Sequence, residues 1–288
     1  MKRDAFSQYH PVVNFLFFLG SIGFGVVFQH PAYLVAGFLS ATAYYFLLTG
    51  AKGRKLFLVL IPVFLVITLI NPLLNTYGKT VLFTFWGRPY TLEGLLHGGA
   101  VAAVFVIMML WFSCYSKVLT SDKFMCLFGN LIPSASLLLI MVLRMIPGLT
   151  RKAAQLTVAR QGIGKAETGS NLRGKITEGM EILSGLTDHA LEGSIVTADS
   201  MRARGYGCAK RTSFQIYPMS PRDWVALIFL ILLAAAVLLT GGYSAEYTPA
   251  LQFQQPTLGL AAYWVFLMIP TTLHITEALK WRILISGI

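Results

Sequence analysis

The sequence predicts an all-α membrane protein of about six transmembrane helices plus a cytoplasmic helical region, and three observations carry that expectation. Hydrophobic residues make up 56% of the 288 and charged residues only 12%, far from the balance of a soluble globular domain. Six stretches contain no Asp, Glu, Lys or Arg: Val12 to Phe28, Tyr33 to Leu48, Phe57 to Leu74, Leu95 to Cys114, Trp224 to Thr240 and Leu258 to Ile275. Each is close to the ~17–25 residues that cross ~30 Å of hydrocarbon as a helix. With the N-terminus placed inside, 21 of the 23 lysines and arginines fall on the cytoplasmic side and only Lys79 and Arg88 outside, as the positive-inside rule requires.

The spans then follow in order. Gln29-His30-Pro31 joins the first two tightly. Val12 to Phe28 is too long for a typical signal core and no small-residue cleavage site closes it, so it reads as a span. Asn71-Pro72 marks an expected kink in the third, since proline is tolerated in membrane helices. Glu93 and His97 near the outer start of the fourth read as interfacial residues and not a proton relay, because no further ionisable residue follows within that span. Trp86, Tyr90, Trp224 and Trp281 fall where aromatic belt anchors are expected. The organisation is an N-terminal membrane region of four spans over residues 1–114, a cytoplasmic region over 115–223, and a C-terminal membrane region of two spans over 224–288.

The central block carries 14 basic and 8 acidic residues and is where function is sought. It reads as three helices. A short one follows the Ser121-Asp122 cap signal. A second starts at Pro133-Ser134 and runs through Arg160, with Pro147 expected to kink it; its apolar run Leu137 to Leu143 is too short to span a bilayer alone. Gly162 to Gly174, rich in Gly, Ser and Asn, reads as a turn or mobile loop. The third helix runs from about Lys175 to Arg204. Along it Ile176, Met180, Leu183, Thr187, Ala190, Ser194, Thr197 and Met201 recur at alternating spacings of four and three, which lays one continuous stripe. The small residues Gly185, Ala190, Gly193 and Ser194 form a candidate surface for a close helix crossing.

Several chemistries are disfavoured by the residues. The net charge of +11 is largely a topology signal with some attraction to anionic lipid, and nucleic-acid binding is not needed to explain it. Cys114, Cys126 and Cys208 show no CxxC spacing, and the five histidines are scattered, so no metal site, cofactor site or catalytic group is expected. Gly169 to Ile176 nearly matches a P-loop, but Ile176 stands where a hydroxyl must hold magnesium and no apolar strand precedes Gly169. An intramembrane enzyme would need acids or a nucleophile inside the spans, which hold almost no ionisable residue. A stand-alone secondary transporter or channel, for which broken midplane helices are the usual sign, stays open as the alternative, with Asn71-Pro72 its one hint.

Both long helices close on one pattern, Ala159-Arg160-Gln161-Gly162 and Ala203-Arg204-Gly205. A basic residue at a helix C-terminus also offsets the helix dipole by ~0.3–1 kcal/mol, so one such ending alone says little. The pair resembles the two Ala-Arg-Gly signatures of the transmembrane T component of energy-coupling factor (ECF) transporters. The wider text is similar too: Asn71-Pro72-Leu73-Leu74-Asn75, Thr120-Ser121-Asp122-Lys123-Phe124, Met141-Val142-Leu143-Arg144, and Thr197 through Gly207. The likeness covers most of the chain; it departs at Gln161, where the family usually has Gly.

What the resemblance implies is a coupling-helix region over 115–223 in a multi-pass protein of a prokaryotic cell membrane, with N- and C-termini cytoplasmic. Its implied partners are two cytoplasmic ABC ATPase subunits and a membrane-embedded S component that captures a vitamin or metal ion. ATP hydrolysis would belong to the ATPases and substrate recognition to the S component, leaving this chain with no catalytic role and no cofactor. Carried over by motif, Ala159, Arg160, Gln161, Ala203, Arg204 and Gly205 are the ATPase-docking residues, and the two arginines meet acidic side chains in grooves on the ATPases.

Overall fold

In the computed structural model the fold is all-α, with eight α-helices and two short antiparallel hairpins among the described residues. Those residues are 6–75, 80–85, 88–120, 123–124, 126–127, 133–164, 172–208, 218–240, 245–246, 252–253 and 258–286. The elements run α1 (Pro11–Val27), α2 (Pro31–Thr49), α3 (Arg54–Leu74), β1 (Val81–Phe85), β2 (Arg88–Thr91), α4 (Leu92–Val118), α5 (Pro133–Gly162), α6 (Leu172–Ala203), α7 (Pro221–Thr240), β3 (Ala245–Glu246), β4 (Gln252–Phe253) and α8 (Leu258–Ser286). Five helices, α2, α3, α4, α7 and α8, are long and apolar enough to cross a membrane, and α1 is a shorter apolar helix of 17 residues. The chain is accordingly a membrane-embedded protein. It divides into two compact units, one of residues 1–124 with 217–288 and one of residues 125–216.

The first unit is held by aromatic packing. Phe17 of α1, Trp111 of α4 and Phe266 of α8 are fully buried; the Phe17 ring lies edge-on to Trp111 at 5.5 Å and stacks on Phe266 at 5.4 Å. Phe28 stacks on Tyr33 of α2 at 4.9 Å, and Tyr33 reaches Tyr263 of α8 at 5.4 Å. Such pairs contribute ~0.5–1.5 kcal/mol each beyond buried area, and here they tie α1, α2, α4 and α8 together. Large apolar side chains of the other two long apolar helices, such as Leu58 of α3 and Leu232 of α7, stay exposed, as a lipid-facing surface requires.

Helix starts explain where the chain turns. His10-Pro11 and His30-Pro31 share one device: each proline takes the first helical position and each preceding imidazole Nδ1 accepts the backbone N–H two residues on, at 3.2 Å. Proline has no N–H to satisfy there, and the histidine supplies the cap. At the start of α7 the Asp223 carboxylate accepts from Ser220 N–H at 2.9 Å and from Ser220 Oγ at 2.8 Å. It also accepts from His10 N–H at 3.0 Å, which fixes the start of α1 beside the start of α7.

Several sequence expectations change here. α3 continues as a helix through Asn71-Pro72 to Leu74, with Pro72 inside it, and Asn71 Oδ1 accepts from Asn75 Nδ2 at 3.2 Å. There the α3–α4 crossing is close: a Cβ on Gly98 would lie 2.8 Å from Asn71 Cβ and 2.9 Å from the Thr68 carbonyl. Gly94 and Gly98 form the small-xxx-small spacing that lets membrane helices meet. Tyr90 is buried and donates its hydroxyl to the Leu69 carbonyl at 3.3 Å, so it packs against α3 and is not a belt anchor. Trp86 lies outside the described residues, while Trp224 and Trp281 are exposed. Glu93 is buried, accepting from Thr80 Oγ1 at 2.6 Å and Thr80 N–H at 3.3 Å. It pins the strand entering β1 to the first turn of α4, where a carboxylate also suits the helix dipole.

The second unit consists of α5 and α6. α5 continues through Pro147 and past Arg160 to Gly162, and α6 begins at Leu172, so both ends of the expected Gly162–Gly174 loop are helical; residues 165–171 lie outside the description. Of the short helix expected after Ser121-Asp122, residues 123–124 and 126–127 are described and helical. Arg160 pairs with Glu181, and the Gly185 Cα faces Leu156, whose Cδ1 is 3.6 Å from where a Cβ would stand. One sequence rises as the other falls, so the two helices are antiparallel.

Candidate functional site: the two arginine tips

The C-terminus of α6 ends in a complete left-handed cap. Gly205 has φ +79°; its N–H bonds to the Arg202 carbonyl at 2.9 Å, and the Tyr206 N–H bonds to the Met201 carbonyl at 3.0 Å. These are the two bonds of a Schellman motif. Only a residue without Cβ takes that φ freely, which accounts for Gly205 directly after Arg204. Arg204 is therefore the last residue before the chain reverses, and its side chain is exposed with no ion-pair partner among the described residues.

The first signature is built differently. Gln161 and Gly162 are helical, and the left-handed residue is Gly164, φ +70°, whose N–H bonds to the Gln161 carbonyl at 3.1 Å. The sequence pointed to Gly162 as the cap; Gly162 instead stays helical, and the left-handed residue lies two positions further on. Arg160 thus lies two residues before the last helical residue, Gly162, within the final turn. Its side chain is mostly covered, at 21% exposure, and pairs with Glu181, itself 52% exposed; Arg160 Nε is buried without a hydrogen-bond partner among the described residues. A pair this open to water contributes ~0–1 kcal/mol, so another carboxylate can replace Glu181 at little cost.

The tips are far apart. Glu181 holds Arg160 beside the early part of α6, and from Glu181 to Arg204 the helix climbs roughly 35 Å at ~1.5 Å per residue. No single small ligand spans that distance. The arrangement presents two separate cationic points on one two-helix unit.

Around the tips the surface is apolar and open. Ile176, Met180 and Leu183, the start of the stripe read from sequence, are 62%, 62% and 56% exposed. α5 is met by a different face, on which Ile182, Gly185 and Leu186 are half-buried and which the stripe did not include. From 191 to 200 every residue of α6 is exposed. Of the small residues singled out for a helix crossing, Gly185 meets α5 and Ala190 is half-buried, whereas Gly193 has no atom within 4 Å of a Cβ position and Ser194 is exposed. In α5 the apolar run also lies open, with Leu138 and Ile140 exposed.

Among the described residues no three of His, Cys, Asp and Glu gather as a metal site, and Cys114, Cys126 and Cys208 are free thiols. In the near-P-loop, Leu172 to Ile176 are the first residues of α6, the preceding described helix is α5, and Gly169 lies outside the described residues. No known protein-family model matches the chain, and no curated protein matches it.

Proposed function

We propose that this chain is the transmembrane coupling subunit of an ECF-type ABC transporter. It transmits ATP-driven motion from two cytoplasmic ATPases to a membrane-embedded S component, for uptake of a vitamin or metal ion across a prokaryotic cell membrane. The termini and the α5–α6 hairpin lie on the cytoplasmic side, where 21 of 23 basic residues then fall.

The observation that carries the reading is the pair of arginines held about 35 Å apart on one two-helix unit, each at a helix end closed by a left-handed glycine. Two docking points at that separation suit two partner subunits moving against each other. Guanidinium gives forked hydrogen bonds to carboxylate that an ammonium cannot copy, and the open apolar faces of α5 and α6 supply contact area around each fork. Arg204 is the freer of the two. Arg160 exchanges Glu181 for an ATPase carboxylate.

The test is a substitution series at Arg204 read by ATPase retention in purified membranes. Arg204→Ala and Arg204→Glu release ATPase while the chain stays folded, because the side chain is exposed and forms no ion pair among the described residues. Arg204→Lys is intermediate. Full ATPase recovery with the Glu variant overturns the docking assignment.

A further inference from the structure

We infer that the groove between the start of α7 and the end of α8 is a binding site for an aminophospholipid, its acyl chain lying along the groove and its phosphate and ammonium held in the polar pocket at the groove's end. The inference needs only that the chain sits in a membrane, so it stands apart from the transporter reading.

Two adjoining cavities make the site. The first, about 560 Å³, is lined by Val13, Val225, Phe229, Leu230, Ile269 and other residues that are almost all apolar. That volume lies in the ~300–1,000 Å³ range of ligand pockets. Val225 and Phe229 line it and are also exposed, at 68% and 49%, so it opens sideways toward the hydrocarbon. The second, about 410 Å³, is polar and includes Arg222, Asp223, Glu277 and Lys280. Tyr9, Arg222 and Leu273 line both, which makes one continuous site with an apolar arm and a charged end. The charged end lies at the depth of the membrane–water boundary: Trp224 and Trp281, exposed beside it in sequence, are residues that favour that level.

Charge selects the ligand. Arg222 and Lys280 form no ion pair among the described residues, and two free cations between membrane helices suit a lipid phosphate. Asp223 is already occupied, accepting from His10 N–H, Ser220 N–H and Ser220 Oγ. Glu277 has no ion-pair partner among the described residues and faces the same pocket. A carboxylate there repels the extra negative charge of cardiolipin or phosphatidylserine and offers phosphatidylglycerol no counter-charge. It attracts an ammonium, and a primary ammonium donates hydrogen bonds to it where a quaternary choline has none to give. Phosphatidylethanolamine matches all three groups at once.

Native mass spectrometry of the purified, delipidated full chain tests this, with phosphatidylethanolamine, phosphatidylglycerol and phosphatidylcholine of identical acyl chains added in turn. Wild type retains the ethanolamine lipid preferentially. The Arg222→Ala/Lys280→Ala double variant loses about tenfold of that retention, as expected for removing charge-assisted phosphate contacts. Glu277→Gln keeps lipid binding but brings ethanolamine and glycerol lipids to near-equal retention. Equal retention of all three lipids by wild type, a preference for the glycerol lipid, or an undiminished double variant overturns the proposal. If the double variant does not fold, Glu277→Gln decides alone, and an unchanged ethanolamine preference refutes the assignment. An adduct on the isolated chain that disappears when the chain is purified with its protein partners would give the groove to a protein and also overturn it.

Discussion

Gly205→Val is the most informative perturbation of the arginine tips, because its effect separates cleanly into backbone and contact. Nothing lies within 4 Å of a Cβ at this position, so no clash arises; the cost comes from the φ of +79° alone. A non-glycine residue in the left-handed region is disfavoured by ~1–2 kcal/mol, and a β-branched one lies at the upper end. That is about a 5–30-fold loss of the capped form relative to a frayed end. The Gly205 and Tyr206 amides, which donate the two Schellman bonds, should therefore exchange hydrogen faster by about that factor. Gln161→Val meets no such penalty, since Gln161 is helical and exposed and the propensity difference is only a few tenths of a kcal/mol. At equal membrane expression, pull-down should show Gly205→Val losing ATPase and Gln161→Val retaining it. Gln161→Gly is tolerated as well, and Gly205→Asn should recover most of the loss because asparagine accepts left-handed φ. Equal losses for the two valine variants, or an asparagine variant as damaged as valine, would refute the idea that backbone geometry aims Arg204.

The first-signature pair predicts the opposite sign. Glu181→Gln leaves thermal stability within about 1 kcal/mol, as expected for a half-exposed pair, and raises ATPase retention by freeing Arg160; reduced retention would mean that Glu181 positions Arg160 for docking. Gly98→Leu inserts a side chain where even a Cβ lies 2.8 Å from Asn71, so it should lower stability by ~1–3 kcal/mol, seen as a depressed thermal unfolding midpoint in detergent. Glu93→Ala strips Thr80 of its acceptor and should cost ~1.5–3 kcal/mol, read by faster proteolysis between α3 and α4. Gly193→Leu should leave that midpoint unchanged, its site being open, so any loss of uptake measures a contact with a partner.

The spans were legible because hydrocarbon imposes a length and excludes charge, and α2, α3, α4 and α7 carry those two signals together. The Gly205 cap was legible for a related reason: arginine followed by glycine at the end of a periodic helix has few alternative geometries. Its counterpart was displaced from Gly162 to Gly164, because a glutamine in the sequence does not reveal how far a helix continues. The β1–β2 hairpin was missed although Val81-Leu82-Phe83-Thr84-Phe85 is rich in β-branched and aromatic residues; a short apolar run beside a span looks like more of the span. Gly94 and Gly98 carried a spacing that could have shown the α3–α4 crossing. His10 and His30 stand before proline, a signal for caps that is lost when histidines are surveyed only as ligands. The α5-facing residues of α6 were hidden by a better stripe: the apolar periodicity of Ile176, Met180 and Leu183 marks an exposed face, while the hairpin is joined through Gly185 and a salt bridge.

The measurement that bears most directly on the coupling role is affinity purification of the tagged chain from membranes of its native host, with the partners identified and counted by mass spectrometry, for wild type and Arg204→Glu side by side. The account predicts that wild type brings down two ABC ATPase subunits and one small membrane protein, and that Arg204→Glu keeps the membrane protein while losing ATPase. A chain that purifies without any ATPase and still moves substrate in proteoliposomes would contradict it.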